Sequence, residues 1–117
     1  MLTLNEYQEQ ALSSAIYPDQ GSNLVYPALK LAGESGEFAE KVAKANRDDG
    51  IGWFTNWASL PFEKRVKMAH ELGDAQWYLA ACAKELGFTL EEIASMNLAK
   101  LADRKLRNKI SGSGDNR

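Results

Sequence analysis

Apolar residues recur along this chain at three- and four-residue steps and almost never alternate, so helices are the expected element throughout. Leu4, Tyr7, Ala11 and Leu12 place a first helix over about Thr3 to Ala15, and Tyr17-Pro18-Asp19-Gln20-Gly21 breaks it. Ala28, Leu31, Ala32, Ser35, Phe38, Ala39, Val42 and Ala45 stripe a second helix from Leu24 to Asn46. Its other face holds Lys30, Glu34, Glu37, Glu40, Lys41 and Lys44, and Asp48-Asp49-Gly50 ends it. A third helix starts near Ser59 or Leu60, with Pro61 suited to its first turn, and runs to Leu86, where Gly87 supplies the stop. Thr89 and Glu92 form a capping box that opens a fourth, ending near Lys109. Valine occurs only at 25, 42 and 66, and no strand is predicted. Four such helices imply an all-α fold, an antiparallel four-helix bundle. The connection 47–60 carries Trp53, Phe54 and Trp57, more aromatic surface than a plain linker needs. The Gly/Ser-rich segment 111–117 reads as a disordered tail after a domain over 1–110.

Composition narrows the partners. The 117 residues, 44% hydrophobic and 26% charged, suit one domain with a real core and exclude overall disorder. The formal net charge of -2 speaks against a general nucleic-acid binder. One cysteine, Cys82, allows no disulfide within the chain and points to a reducing cytoplasm. No signal peptide is expected from Met1–Gln10, with its two glutamates, and the apolar run Ala75–Ala83 is far short of the ~20 residues that span a bilayer.

Two acidic pairs share one spacing: Glu34 with Glu37 on the second helix, and Glu71 with Asp74 on the third. A three-residue step returns to the same helix face, so each pair sets two carboxylates side by side. If the two helices pack together, four carboxylates converge, and their repulsion calls for a hard divalent cation such as Mg²⁺. A solvated face also accounts for Glu34 and Glu37, because Lys30–Glu34, Glu37–Lys41 and Glu40–Lys44 are four-residue charge pairs. Asp74 stands in a segment that is apolar nearly all round, as in a buried helix, where an aspartate needs a partner. Gly33, Gly36 and Gly73 interrupt helices beside the acids. Close approach of a ligand or tight packing of a helix would explain them equally. Asn97, Lys100 and Arg104 share one face of the fourth helix and suit phosphate oxygens, or simply form a cationic face near a helix end.

Together these residues resemble the MazG-like nucleotide pyrophosphohydrolases of the all-α NTP-pyrophosphatase superfamily. That family's mark is an E-x-x-E pair followed by an E-x-x-D pair. Here they read Gly33-Glu34-Ser35-Gly36-Glu37 and Glu71-Leu72-Gly73-Asp74, with Asn97-Leu98-Ala99-Lys100-Leu101-Ala102-Asp103-Arg104 matching the downstream N-x-x-K-L-x-x-R segment. The opening Leu4-Asn5-Glu6-Tyr7-Gln8 is also familiar from small members. The resemblance covers about residues 3–108. The interval between Glu37 and Glu71 is longer than in many members, and the excess lies in the aromatic connection.

The resemblance implies hydrolysis of a (d)NTP, with dNTPs favoured, to the monophosphate and pyrophosphate. Glu34, Glu37, Glu71 and Asp74 would be the catalytic and metal-binding residues, with Mg²⁺ or Mn²⁺ as cofactor. Lys100 and Arg104 would neutralise phosphates, Asn97 would donate a hydrogen bond, and Trp53 or Trp57 would stack on the base. Similar members form dimers or dimers of dimers, so a homodimer or homotetramer completing the bundle is implied. The alternative is a non-catalytic helical module that binds nucleotides or a protein. A di-iron carboxylate bundle is disfavoured, since the sole histidine, His70, has Lys67 rather than an acid three residues before it. No Walker loop is present, and with one histidine no Ser/His/Asp or Cys/His nucleophile suggests itself.

Overall fold

A computed structural model describes residues 1–108; the expected tail at 111–117 lies outside them. The fold is all-helical, as the periodicity predicts: α1 Leu4–Leu12, α2 Val25–Asp49, α3 Phe62–Glu85 and α4 Leu90–Arg107. A 3-10 turn, Trp57–Ser59, interrupts the long connection. Capping boxes open α1 (Thr3 with Glu6) and α4 (Thr89 with Glu92).

The ends differ from expectation for local reasons. α1 stops at Leu12 because the Ser13 hydroxyl donates to the Gln10 carbonyl at 2.7 Å and competes with the next turn. α2 runs on to Asp49, where Gly50 takes the left-handed conformation (φ 69°) that a side chain resists. Pro61 stands just before α3, not within its first turn, and its carbonyl accepts from the amides of Lys64 and Arg65.

α2 and α3 pair antiparallel along their length. Lys64 meets Asp49 at one end (2.9 Å), and the Asn23 amide donates to Glu85 at the other (3.1 Å). α1 lies antiparallel across the C-terminal half of α3, where the Trp77 indole donates to the Ala11 carbonyl (3.0 Å). Gln8 is buried and fully used. Its amide donates to the carbonyls of Ala80 and Phe88, and its oxygen accepts from the Leu90 amide. Leu12, Ala80, Ala81, Ala83 and Leu90 form the core, flanked by Tyr7, Ala15, Tyr17, Trp77 and Ile93. Its alanines let the helix backbones come close.

α4 touches α1 and α3 near its start and shares no extended contact with α2. Leu98, Leu101 and Leu106 on α4 stay exposed, as do Val25 and Leu29 on α2. Much of the expected α2 stripe is exposed too, including Ala28, Ala32, Ser35 and Ala39. Among the described residues, no helix is long and apolar enough to cross a membrane.

Candidate functional site

The antiparallel pairing sets Glu34 of α2 opposite Glu71 and Asp74 of α3. One carboxylate oxygen from each lies within 4.8 Å of the others. One oxygen of Glu34 (Oε2) and one of Glu71 (Oε2) are buried without a hydrogen-bond partner. Leaving such an acceptor dry and unpaired is costly, more so when it is charged. Glu71 has one cation close by, Lys41, at 3.5 Å from its other oxygen. Burial pushes the Glu34 carboxyl above its usual range, helped by the charges of Glu37 and Asp74 and by a hydrogen bond with Glu37; Lys30 pulls the other way.

Glu37 is exposed and meets the group through Glu34, so three acids converge and the fourth stands at the rim. Asp74 corrects an expectation. The segment around it suggests a helix buried on all sides, yet Asp74 is exposed and Leu72 and Leu79 face solvent. Leu72 and Leu79 share one face of α3 that the described residues leave open to solvent, while Asp74 looks toward Glu34 of α2 from the edge of the helix pair. Of the two readings of the glycines, tight packing is not seen among the described residues: a Cβ at Gly33, Gly36 or Gly73 would meet nothing within 4 Å.

A cleft of about 370 Å³ opens over the acids, lined by Glu34, Gly73, Asp74, Trp77 and Tyr78. Its aromatic wall is braced ring to ring. Trp77 meets Tyr78 edge-on at 5.0 Å, Tyr26 tilts against Tyr78 at 6.5 Å, and Tyr17 stacks on Tyr26 at 5.5 Å. The Lys30 ammonium lies 5.9 Å from the Tyr78 ring centre. Burial raises the Tyr78 hydroxyl above its ordinary range, with Tyr26 and the charges of Glu34 and Asp74 adding to it. Tyr7, on α1, is raised by burial and by Asp74.

These tyrosines were not singled out from sequence, although a signal exists. Tyr26, Lys30 and Glu34 stand at four-residue steps on one face of α2, and Tyr78 stands four after Asp74.

The other candidates lie elsewhere in the chain. Trp53 is almost fully exposed, and with Trp57 it lines a groove of about 420 Å³ along Ala39, Val42 and Asn46 of α2. That groove shares no residue with the acid cleft. Asn97 and Lys100 are exposed on α4, and among the described residues no hydrogen bond or ion pair joins them to the acids; Arg104 is half-buried. His70 is exposed, and burial pushes the Cys82 thiol up, away from reactivity.

Residues 26–107 match the MazG nucleotide pyrophosphohydrolase domain. The chain belongs to the MazG family. The matched span includes all four acids and runs from the first turn of α2 to the end of α4. The Gene 37 protein of Mycobacterium phage L5 is 42% identical over 117 residues, covering 95% of this chain and 96% of that protein. No solved structure matches. The family match agrees with the resemblance drawn from the two acidic pairs.

Proposed function

We propose that this MazG-family protein is a Mg²⁺-dependent nucleoside triphosphate pyrophosphohydrolase. It converts a (d)NTP, with dNTPs as the preferred class, to the monophosphate and pyrophosphate. One observation carries the reading: three carboxylates meet within 4.8 Å, and two of their oxygens are buried with no partner. That donor set, all oxygen and all anionic, fits a hard cation, Mg²⁺ or Mn²⁺. Glu34, Glu71 and Asp74 would hold it, with Glu37 as the fourth carboxylate at the rim.

When bound, the metal supplies positive charge for the phosphates and stabilises charge in phosphoryl transfer. Without it, a triphosphate meets a cluster in which carboxylates outnumber the nearby Lys30 and Lys41, and is repelled. A carboxylate not fully used as a ligand would orient or deprotonate the attacking water, and the exposure of Glu37 outside the converging set supports it in that role. Asn97, Lys100 and Arg104 on α4, with Trp53 on the connection, complete the substrate contacts from a second copy in a homodimer or homotetramer. The uncovered apolar residues of α2 and α4 support that assembly. The unpaired Cys82 supports a reducing, cytoplasmic setting.

Product analysis tests the reading. The common NTPs and dNTPs are incubated with Mg²⁺ and the wild type, beside Glu37→Gln. Monophosphate and pyrophosphate from the wild type alone are expected. A folded protein that binds nucleotide but releases neither product leaves the binding module instead.

A further inference from the structure

α2 offers three charge pairs at four-residue steps: Lys30 with Glu34, Glu37 with Lys41, and Glu40 with Lys44. Of these, among the described residues, Glu40–Lys44 alone closes as an ion pair, at 3.2 Å. Lys41 instead crosses to α3 and meets Oε1 of Glu71 at 3.5 Å. It stands seven residues after Glu34, about two turns along the same face of α2, so the helix that carries Glu34 also reaches over to Glu71. The acids on the other side of Lys41 are engaged elsewhere: Asp48 by Arg47 at 2.6 Å and Asp49 by Lys64 at 2.9 Å.

The Lys41–Glu71 pair differs from the others on this surface in the burial of its acid. The Glu71 side chain is 16% exposed, against 64% for Glu40 in its pair with Lys44. Oε2 of Glu71 is buried with no partner, and one oxygen of Glu71 lies within 4.8 Å of oxygens from Glu34 and Asp74. Three anions so close repel, and a carboxylate held by nothing turns away to relieve the repulsion. Lys41 attracts one oxygen of Glu71 and leaves the other without a partner. Taking Glu34, Glu71 and Asp74 as the metal-holding set, as proposed above, we propose that Lys41 is a positioning residue for the metal site: it holds one oxygen of Glu71 so that the other is presented to the cation.

An ammonium in this position acts on a bound cation in two opposite ways. Its charge repels the metal, and its contact orients a ligand. The Lys41 side chain is 43% exposed, so water and salt screen the repulsion. The orientation of a mostly buried carboxylate is not screened in that way. Outer partners that orient a metal ligand are typically worth roughly ten- to a hundredfold in affinity. Holding the ligand therefore outweighs repulsion, and loss of Lys41 weakens metal binding.

The probe is Mn²⁺ without nucleotide, with the free ion read by electron paramagnetic resonance. Lys41→Met keeps the apolar stem, removes the charge, and is expected to raise the Mn²⁺ dissociation constant about tenfold. Lys41→Arg keeps the charge and is expected to bind close to the wild type. Lys44→Met is expected to match the wild type, since its partner Glu40 is outside the converging set. Melts in EDTA check that each variant folds, and Lys41→Gln replaces Lys41→Met if that variant does not. Unchanged Mn²⁺ affinity in Lys41→Met, even beside a lower Tm, reduces the contact to a structural ion pair and overturns the proposal. Tighter binding overturns it as well, because repulsion is then the larger effect. An equal loss in Lys44→Met does the same, because the effect is then not specific to Glu71. Each of these leaves the hydrolase reading standing; a folded wild type that takes up no Mn²⁺ sinks that reading and the role of Lys41 together.

Discussion

Two aromatic groups border α2, and they differ in what holds them. Around the acid cleft, Tyr17, Tyr26, Tyr78 and Trp77 contact one another in series, and Glu85 fixes the near end through Tyr17 and two backbone amides. On the connection after α2, Trp53 and Phe54 are exposed almost completely. The first group is pre-organised by its own chain and stands beside charged carboxylates. The second is displayed toward solvent, and large apolar surface of that kind marks a contact yet to be made. Aromatic residues near a site are thus of two kinds, and burial tells them apart where sequence counts them alike.

Disabling the acids should give the largest effect. Asp74→Asn removes one of three converging anions from an exposed position, so helicity by circular dichroism should persist. On the proposed mechanism the metal supplies several kcal/mol of charge stabilisation, so turnover should fall roughly a thousandfold, with Mg²⁺ binding by calorimetry falling alongside. Activity near wild type would remove Asp74 from the site.

Next in size are the residues outside the cleft. Lys100→Ala should raise KM for triphosphates about tenfold, as loss of a charged phosphate contact does, with little change in kcat. Trp53→Ala should raise KM by less and leave folding stability within about 0.5 kcal/mol, because its side chain is almost wholly exposed. If both variants keep wild-type KM, the outer groove and α4 have no part in substrate binding, and the contrast between the two aromatic groups becomes absolute.

The smallest effect should come from bracing the cleft wall. Glu85 is held below its ordinary 4.5 by the Tyr17 hydroxyl first, then by the Gly21 and Asn23 amides. A depressed carboxyl contributes stability that is present above the unfolded value and is lost as pH falls through the folded one. Thermal melts of the wild type should therefore drop on acidification below about pH 4.5. Glu85→Gln should start lower and show a shallower drop. Matching acid limbs would show that Glu85 does not brace the wall.

The helices were legible because each carries its own signal. Thr89 with Glu92, Gly50 and Gly87 mark ends that backbone chemistry enforces locally. The early stop of α1 was missed because a competing Ser13 hydrogen bond is not a periodic feature. The candidate site was half legible. The i, i+3 spacing put Glu71 beside Asp74, but Asp74 looked buried because its sequence neighbours are apolar, and burial depends on what other elements cover.

By itself the sequence determined an all-α chain of four helices and its membership of the MazG family. Helical periodicity and the E-x-x-E and E-x-x-D pairs are properties of neighbours along one strand of chain, and short-range geometry suffices to read them. Only the tertiary structure decided that Glu34, Glu71 and Asp74 meet while Glu37 stays at the rim, and that Tyr17 and Tyr26 line a separate cavity that shares Trp77 and Tyr78 with their cleft. Those are contacts between elements far apart in sequence. They depend on how α2 rotates against α3 and where the loop after α1 is tied down, and no local spacing encodes either.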